Sequence, residues 1–253
     1  MQRRYLIANW KMNLPPAGID EYLRSFGTPA ESVEVIIAPP FPFLDEVKSH
    51  IEKQRLPISL GAQNCHDEVG GAYTGEVSGE MLRRAGAAYV IVGHSERRAI
   101  FEESDAFIGR KVVAARNAGL IPILCVGEDE RTRASGATLP LLDRQLRGAL
   151  EIAGPGKLLV AYEPVWAVGT GRIATPQVVS EAHKLIRDLV RRLAGERPPV
   201  LYGGSVTPDN VDELAGLEEV AGFLVGGASL DGVKFRGIHQ ALAGPVSEGE
   251  RRR

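Results

Sequence analysis

Eight times along the chain a short apolar run stops abruptly at glycine or at polar residues. Residues 5–8 end in Asn9-Trp10-Lys11, 34–38 in Pro39-Pro40, 58–62 in Gln63-Asn64 and 89–92 in Gly93-His94-Ser95-Glu96. Residues 121–126 end in Gly127-Glu128, 158–162 in Glu163-Pro164, 200–202 in Gly203-Gly204-Ser205 and 222–225 in Gly226-Gly227. Segments of helical period separate them, among them 20–26, 43–54, 104–118, 139–153 and 176–194. Ser104 is placed to cap one helix, and Thr175-Pro176 and Thr207-Pro208 each set a cap residue before a proline at the first helical position. The 253 residues give roughly 32 per unit, the size of a strand, a crossover helix and two loops. Runs that are apolar throughout read as strands buried on both faces, hence as a parallel sheet covered by helices. Eight such units predict an α/β fold, a closed (β/α)8 TIM barrel with its chemistry on the loops after the strands. A doubly wound open sheet is the alternative, but it gathers polar residues at one switch point, whereas here they end nearly every run. No linker interrupts the pattern, so residues 1–253 read as one domain, with about 246–253 a solvated tail.

A net charge of −2, with no basic stripe, argues against nucleic acid and acidic membranes as partners. The start of the chain lacks the apolar core of a signal peptide and no uncharged run reaches spanning length, so a cytoplasmic protein is expected. Cys65 and Cys125 lie far apart without a Cys-x-x-Cys, which predicts reduced thiols. The histidines at 50, 66, 94, 183 and 239 show no metal-ligand spacing, and no metal is expected.

A barrel would bring Asn9, Lys11, His94, Glu96, Glu163, Ser205, Gly226 and Gly227 to one mouth. Glu163 leaves the sixth strand at its C-terminal end, and Pro164 then stops the ladder. Val165 and Trp166 add bulk, and Gly169-Thr170-Gly171 adds permissive backbone. Bulk beside hinge residues describes a lid; the same residues would also serve as a solvated acid on an ordinary turn. Gly169-x-Gly171-x-x-Ala174 is not a dinucleotide fingerprint, because residues 164–168 separate it from the strand. Gly203-Gly204-Ser205 and Gly226-Gly227-Ala228-Ser229 stand after the seventh and eighth strands, where backbone N–H groups can hold a phosphate. Lys11, His94 and Glu163 then supply a cation, a hydrogen-bond donor and a base. His94 precedes what reads as a helix start, a position that disfavours imidazolium.

These stretches together resemble the triosephosphate isomerase family nearly end to end. Asn9-Trp10-Lys11-Met12-Asn13 is similar to the family's first loop, Gly93-His94-Ser95-Glu96-Arg97-Arg98 to its fourth, and Ala161-Tyr162-Glu163-Pro164-Val165-Trp166 to its sixth. Tyr202-Gly203-Gly204-Ser205-Val206 and Leu224-Val225-Gly226-Gly227-Ala228-Ser229-Leu230 resemble its phosphate loops. The resemblance implies interconversion of dihydroxyacetone phosphate and D-glyceraldehyde 3-phosphate, a step of glycolysis and gluconeogenesis, without cofactor or metal. It makes Glu163 the base, neutral His94 the electrophile, Lys11 the stabiliser of developing charge, Asn9 a helper at the oxyanion and Glu96 an acid near the lysine. The family is itself an established example of that glutamate and neutral-histidine pairing. Gly169, Ser205, Gly226 and Gly227 would hold the phosphate. Gly71-Ala72-Tyr73-Thr74-Gly75-Glu76 resembles the family's interface loop and implies a homodimer. Glu103 and Cys125 fall on familiar positions and read as structural. Ala221 replaces a common acid, and Leu230-Asp231-Gly232-Val233-Lys234-Phe235 lacks a common proline, which puts the last helix in question. A Schiff-base aldolase would need a lysine inside a middle or late strand, and Lys157 precedes its strand; a barrel serving only as a scaffold would have no need of Lys11, His94 and Glu163.

Overall fold

The computed structural model describes residues 3–167, 172–195 and 197–244. Eight strands, β1 Arg4–Asn9, β2 Val33–Ala38, β3 Ile58–Ala62, β4 Tyr89–Val92, β5 Ile121–Val126, β6 Leu159–Tyr162, β7 Val200–Tyr202 and β8 Gly222–Val225, pair in sequence order. Every pairing is parallel, and β1 meets β8 with Tyr5 opposite Gly222, which closes the barrel. The helices α1 Ile19–Phe26, α2 Leu44–Gln54, α3 Gly79–Arg84, α4 Ser95–Ile100, α5 Asp105–Asn117, α6 Glu130–Ala134, α7 Thr138–Ala153, α8 Pro176–Ala194, α9 Val211–Ala215 and α10 Gly232–Ala243 fill the crossovers.

The apolar runs divide by strand alternation. Ile7, Ile36, Tyr89, Ile91, Ile123, Leu159, Leu201 and Leu224 fill the interior of the barrel. Their neighbours Leu6, Ala8, Val35, Ile37, Val90, Leu124 and Val160 belong to the larger layer between sheet and helices. Both faces are therefore dry, as strands without polar alternation require. Gly222 has φ 152° and an added Cβ would lie 1.8 Å from the Tyr5 carbonyl oxygen, so the seam between β1 and β8 admits only glycine there.

Ser104 and Thr175 cap α5 and α8 as expected, accepting from the N–H groups of Phe107 and Val178. Thr207-Pro208 does not start a helix. Asn210 instead accepts the Thr207 N–H through its own side chain, making residues 207–210 a turn, and α9 begins at Val211. The last helix forms without the missing proline, because the Asp231 carboxylate accepts from the N–H groups of Val233 and Lys234. Gly232 fits against α1, where a Cβ would lie 2.1 Å from Ser25 Oγ. Ala221 is buried beside Tyr5 at the start of β8. Both cysteines are free and buried. The segment 246–253, read as a tail, lies outside the described residues, among which no helix is long and apolar enough to cross a membrane.

His183 on α8 is buried against Tyr162, and its Nδ1 donates to the Glu219 carbonyl at 3.0 Å. Among the described residues its Nε2 has no partner. Burial, only partly opposed by that carbonyl, pushes the imidazole down to about 4 from 6.5. The unfolded chain then binds the extra proton between those values, so stability falls as pH drops through this window, by about 3 kcal/mol. Urea titrations at pH 7 and pH 4.5 should show that loss, and His183→Gln should flatten part of the slope.

Candidate active site

The ends of β4 and β6 converge on a buried pair. His94 is the N-cap of α4, and its Nδ1 accepts the Glu96 N–H at 3.3 Å. A nitrogen that accepts carries no proton, so the ring proton sits on Nε2, which donates to Glu163 Oε1 at 2.8 Å. The other carboxylate oxygen accepts the Ser95 N–H at 2.9 Å. Burial pushes the Glu163 carboxyl up, but His94, the Ser95 N–H and Lys11 together hold it below the usual range. Burial likewise pushes His94 down, and Glu163, then Glu96, outweigh it and leave the imidazole above its ordinary value. That upward pull depends on contact. When Glu163 turns away toward a substrate, burial and the α4 N–H remain, and both favour the neutral ring.

Lys11 comes from the loop after β1 and is one of three non-glycine residues at positive φ among those described, at 51°. Its backbone is held there from two sides: the Asn9 side chain accepts the Lys11 N–H at 3.1 Å, and the Gln63 amide donates to the Lys11 carbonyl at 2.8 Å. Strain maintained by two hydrogen bonds aims the side chain. Its ammonium pairs with Glu96 at 2.5 Å, and its Cε lies 3.4 Å from where a Gly226 Cβ would stand. The Trp10 indole N–H, bound to the Ser229 carbonyl at 3.2 Å, ties the same loop to the one after β8.

Asn9, Lys11, His94, Glu163, Ser205, Gly226 and Gly227 all line one cavity of about 550 Å³ at the C-terminal mouth. Glu96 does not line it and reaches it only through Lys11 and His94. Gly169 lies outside the described residues. At Ser205 the N–H and the hydroxyl both donate to the Ala167 carbonyl, at 3.2 and 2.6 Å. Asn210 donates to the Ser205 carbonyl at 3.2 Å and so holds this loop from behind.

A carboxylate facing a neutral imidazole, with a lysine and glycine-rich backbone lining the same cavity, suits proton transfer next to a carbonyl in a small phosphate ester. The sequence profile described as triosephosphate isomerase matches residues 4–242. The chain belongs to the triosephosphate isomerase family. It is similar to the triosephosphate isomerase of Aquifex aeolicus, 46% identical over 244 residues that cover 93% of this chain and 98% of that one. It is also similar to that of Colwellia psychrerythraea, 42% identical over 96% of this chain and all of the relative. The crystal structure of triosephosphate isomerase from Bartonella henselae superposes with a TM-score of 0.84 at 37% identity, covering 96% of this chain and 100% of that one.

In this member of the triosephosphate isomerase family, several residues to which the sequence assigned no role support the site. Glu128, fully buried after β5, accepts at one oxygen from the Tyr162 hydroxyl and the Trp166 indole N–H, each at 3.0 Å, and from Arg133 at 3.3 Å. Gln145 on α7 grips Gly127 twice, accepting its N–H at 2.9 Å and donating to its carbonyl at 3.2 Å. The signal available for Glu128, as for Gln63, was its place directly after a strand. Glu103, read as structural, lies away from the cavity and pairs with buried Lys111 at 2.5 Å and Arg97 at 2.6 Å. Cys125 lies in the barrel interior.

Gly127 sets the depth of Glu163, since an added Cβ would stand 1.7 Å from the Glu163 carbonyl oxygen. Gly127→Ala must therefore part the ends of β5 and β6. It is expected to cost about 2 kcal/mol of stability and, by shifting the carboxylate, about tenfold in turnover. A urea midpoint and an initial rate on the same preparation check both.

Proposed function

We propose that this chain catalyses the interconversion of dihydroxyacetone phosphate and D-glyceraldehyde 3-phosphate by proton transfer through an enediolate, as its family membership implies. The observation that carries the site assignment is that Glu163, His94, Lys11, Ser205, Gly226 and Gly227 all line one cavity. Backbone N–H groups of Ser205, Gly226, Gly227 and Gly169 hold the phosphate, which fixes the three-carbon skeleton against the opposite wall. Glu163 turns from Ser95 toward the substrate and takes a proton from the carbon beside the carbonyl. His94 Nε2 donates to the carbonyl oxygen, and Lys11, with Asn9, balances the negative charge that develops there. Glu96 steadies the Lys11 ammonium. Glu163 then returns the proton to the neighbouring carbon. Residues 164–171 act as a lid, because an enediolate phosphate exposed to water can eliminate its phosphate.

The test is the initial rate of glyceraldehyde 3-phosphate conversion, read as dihydroxyacetone phosphate formed. Rapid conversion supports the assignment; a folded sample without activity overturns it.

The same reading makes the protein a cytoplasmic homodimer joined through residues 71–76. The loops after β1 and β3 and the end of α4 leave Met12, Val69, Tyr73, Ile100 and Phe101 exposed, apolar surface that a second subunit would cover. Sedimentation should give twice the chain mass, and Phe101→Asp should lower it toward one.

A further inference from the structure

We infer that Arg133, on α6, is a positioning residue of the isomerase reaction: it holds Trp166 in the arrangement that keeps the Ser205 donors from a phosphate, and so governs how readily the site accepts one. This role rests on Ser205 being a phosphate donor.

The contacts form a short chain. Trp166 sits in the turn Val165–Ala167, with its indole N–H on Glu128 Oε1 at 3.0 Å. The Arg133 guanidinium lies 4.7 Å from the centroid of that indole and donates to the same Glu128 oxygen at 3.3 Å. The ring is thus held at its edge by a buried carboxylate and over its face by a cation. The next residue, Ala167, donates its N–H to the Pro164 carbonyl at 2.7 Å and offers its own carbonyl to both Ser205 donors. Trp166 and Ala167 share one tight turn, so holding the indole holds the carbonyl. α6 makes a second ion pair, from Glu130 to Arg172 at 2.5 Å. That pair is more than half exposed and contributes much less than the stacked guanidinium.

The direction of the effect separates this role from mere packing. A structural arginine supports fold or activity, and its loss weakens ligand binding or leaves it alone. An arginine that stabilises a phosphate-refusing arrangement opposes binding, so its loss shifts the population toward the binding one.

The experiment uses the full chain with Arg133→Met, which keeps the apolar stem and removes the cation, and inorganic phosphate as a competitive inhibitor of glyceraldehyde 3-phosphate conversion. The inhibition constant for phosphate and KM are expected to fall in parallel by about fivefold, with kcat unchanged or lower. Glu130→Gln should move both the same way by no more than about twofold, an effect that fades as salt is raised. Phosphate inhibition and KM unchanged or weakened in folded Arg133→Met overturn the proposal. If that variant does not fold, Arg133→Lys, which keeps the charge and loses the planar stack, must show the same direction or the proposal fails. Absence of phosphate inhibition in the wild type overturns the reading of the phosphate site itself, and this role with it.

Discussion

Glu163→Gln is expected to slow the isomerisation by at least about a thousandfold while the fold stays intact. The substitution keeps the shape of a side chain that is 2% exposed and pinned between His94 and the Ser95 N–H. Glutamine can accept from one of those groups with its oxygen, but it presents an NH₂ to the other contact and has no basic lone pair for carbon acid chemistry. Stability should fall by no more than about 1–3 kcal/mol, since the volume is preserved and only one buried donor loses its acceptor. Initial rates and urea midpoints from matched preparations separate the two effects. A variant that retains wild-type turnover would keep the reaction and remove Glu163 from the role of base.

Lys11→Met should reduce kcat/KM by about a thousandfold, with both kcat and KM affected. Its ammonium pairs with Glu96 and lies 4.0 Å from where a Gly226 Cβ would stand, so in the proposed reaction one cation serves both the reacting oxygen and the phosphate. Methionine keeps the unbranched apolar stem but not the ammonium, and it leaves the Glu96 carboxylate without its partner. Lys11→Arg should not restore the rate, because a planar fork cannot occupy the position of a compact ammonium held by a left-handed backbone. A loss confined to KM would assign Lys11 to binding alone.

The barrel was legible because its strands are buried on both faces. Runs such as 121–126 and 222–225 could be bounded almost to the residue, and the long amphipathic stretch 176–194 coincides with α8. Short helices were harder to read. α3, α6 and α9 have five or six residues each, too few to repeat an apolar spacing, and they are held by tertiary contacts rather than by their own pattern. Thr207-Pro208 shows how a cap signature can be diverted, since the Asn210 side chain satisfies the Thr207 N–H and delays the helix by one turn. At the site, strand ends identified Asn9, Lys11, His94 and Glu163 because each carries its chemistry at a loop start. Glu128 and Gln145 were missed because their work is done on neighbours. A carboxylate shared by Tyr162, Trp166 and Arg133 exists only once β5, β6 and α6 are brought together. The protonation of His94 also needed the fold, since only the Glu96 N–H on Nδ1 identifies which nitrogen bears the proton.

With Ser205 as the proposed phosphate donor, the Ala167 carbonyl on both its donors makes the folded chain its own inhibitor, an acceptor tethered at a high effective concentration. An incoming phosphate exchanges one acceptor for another, and so does a departing product, whose place the carbonyl can retake. Neither half of the cycle has to pass through a state with two partly buried donors and no acceptor, a state that hydrogen-bond energetics penalise. Affinity for every phosphate ligand is lowered by the same internal competitor, substrate and product alike. The equilibrium between them is untouched, while release of the tighter-bound one is hastened.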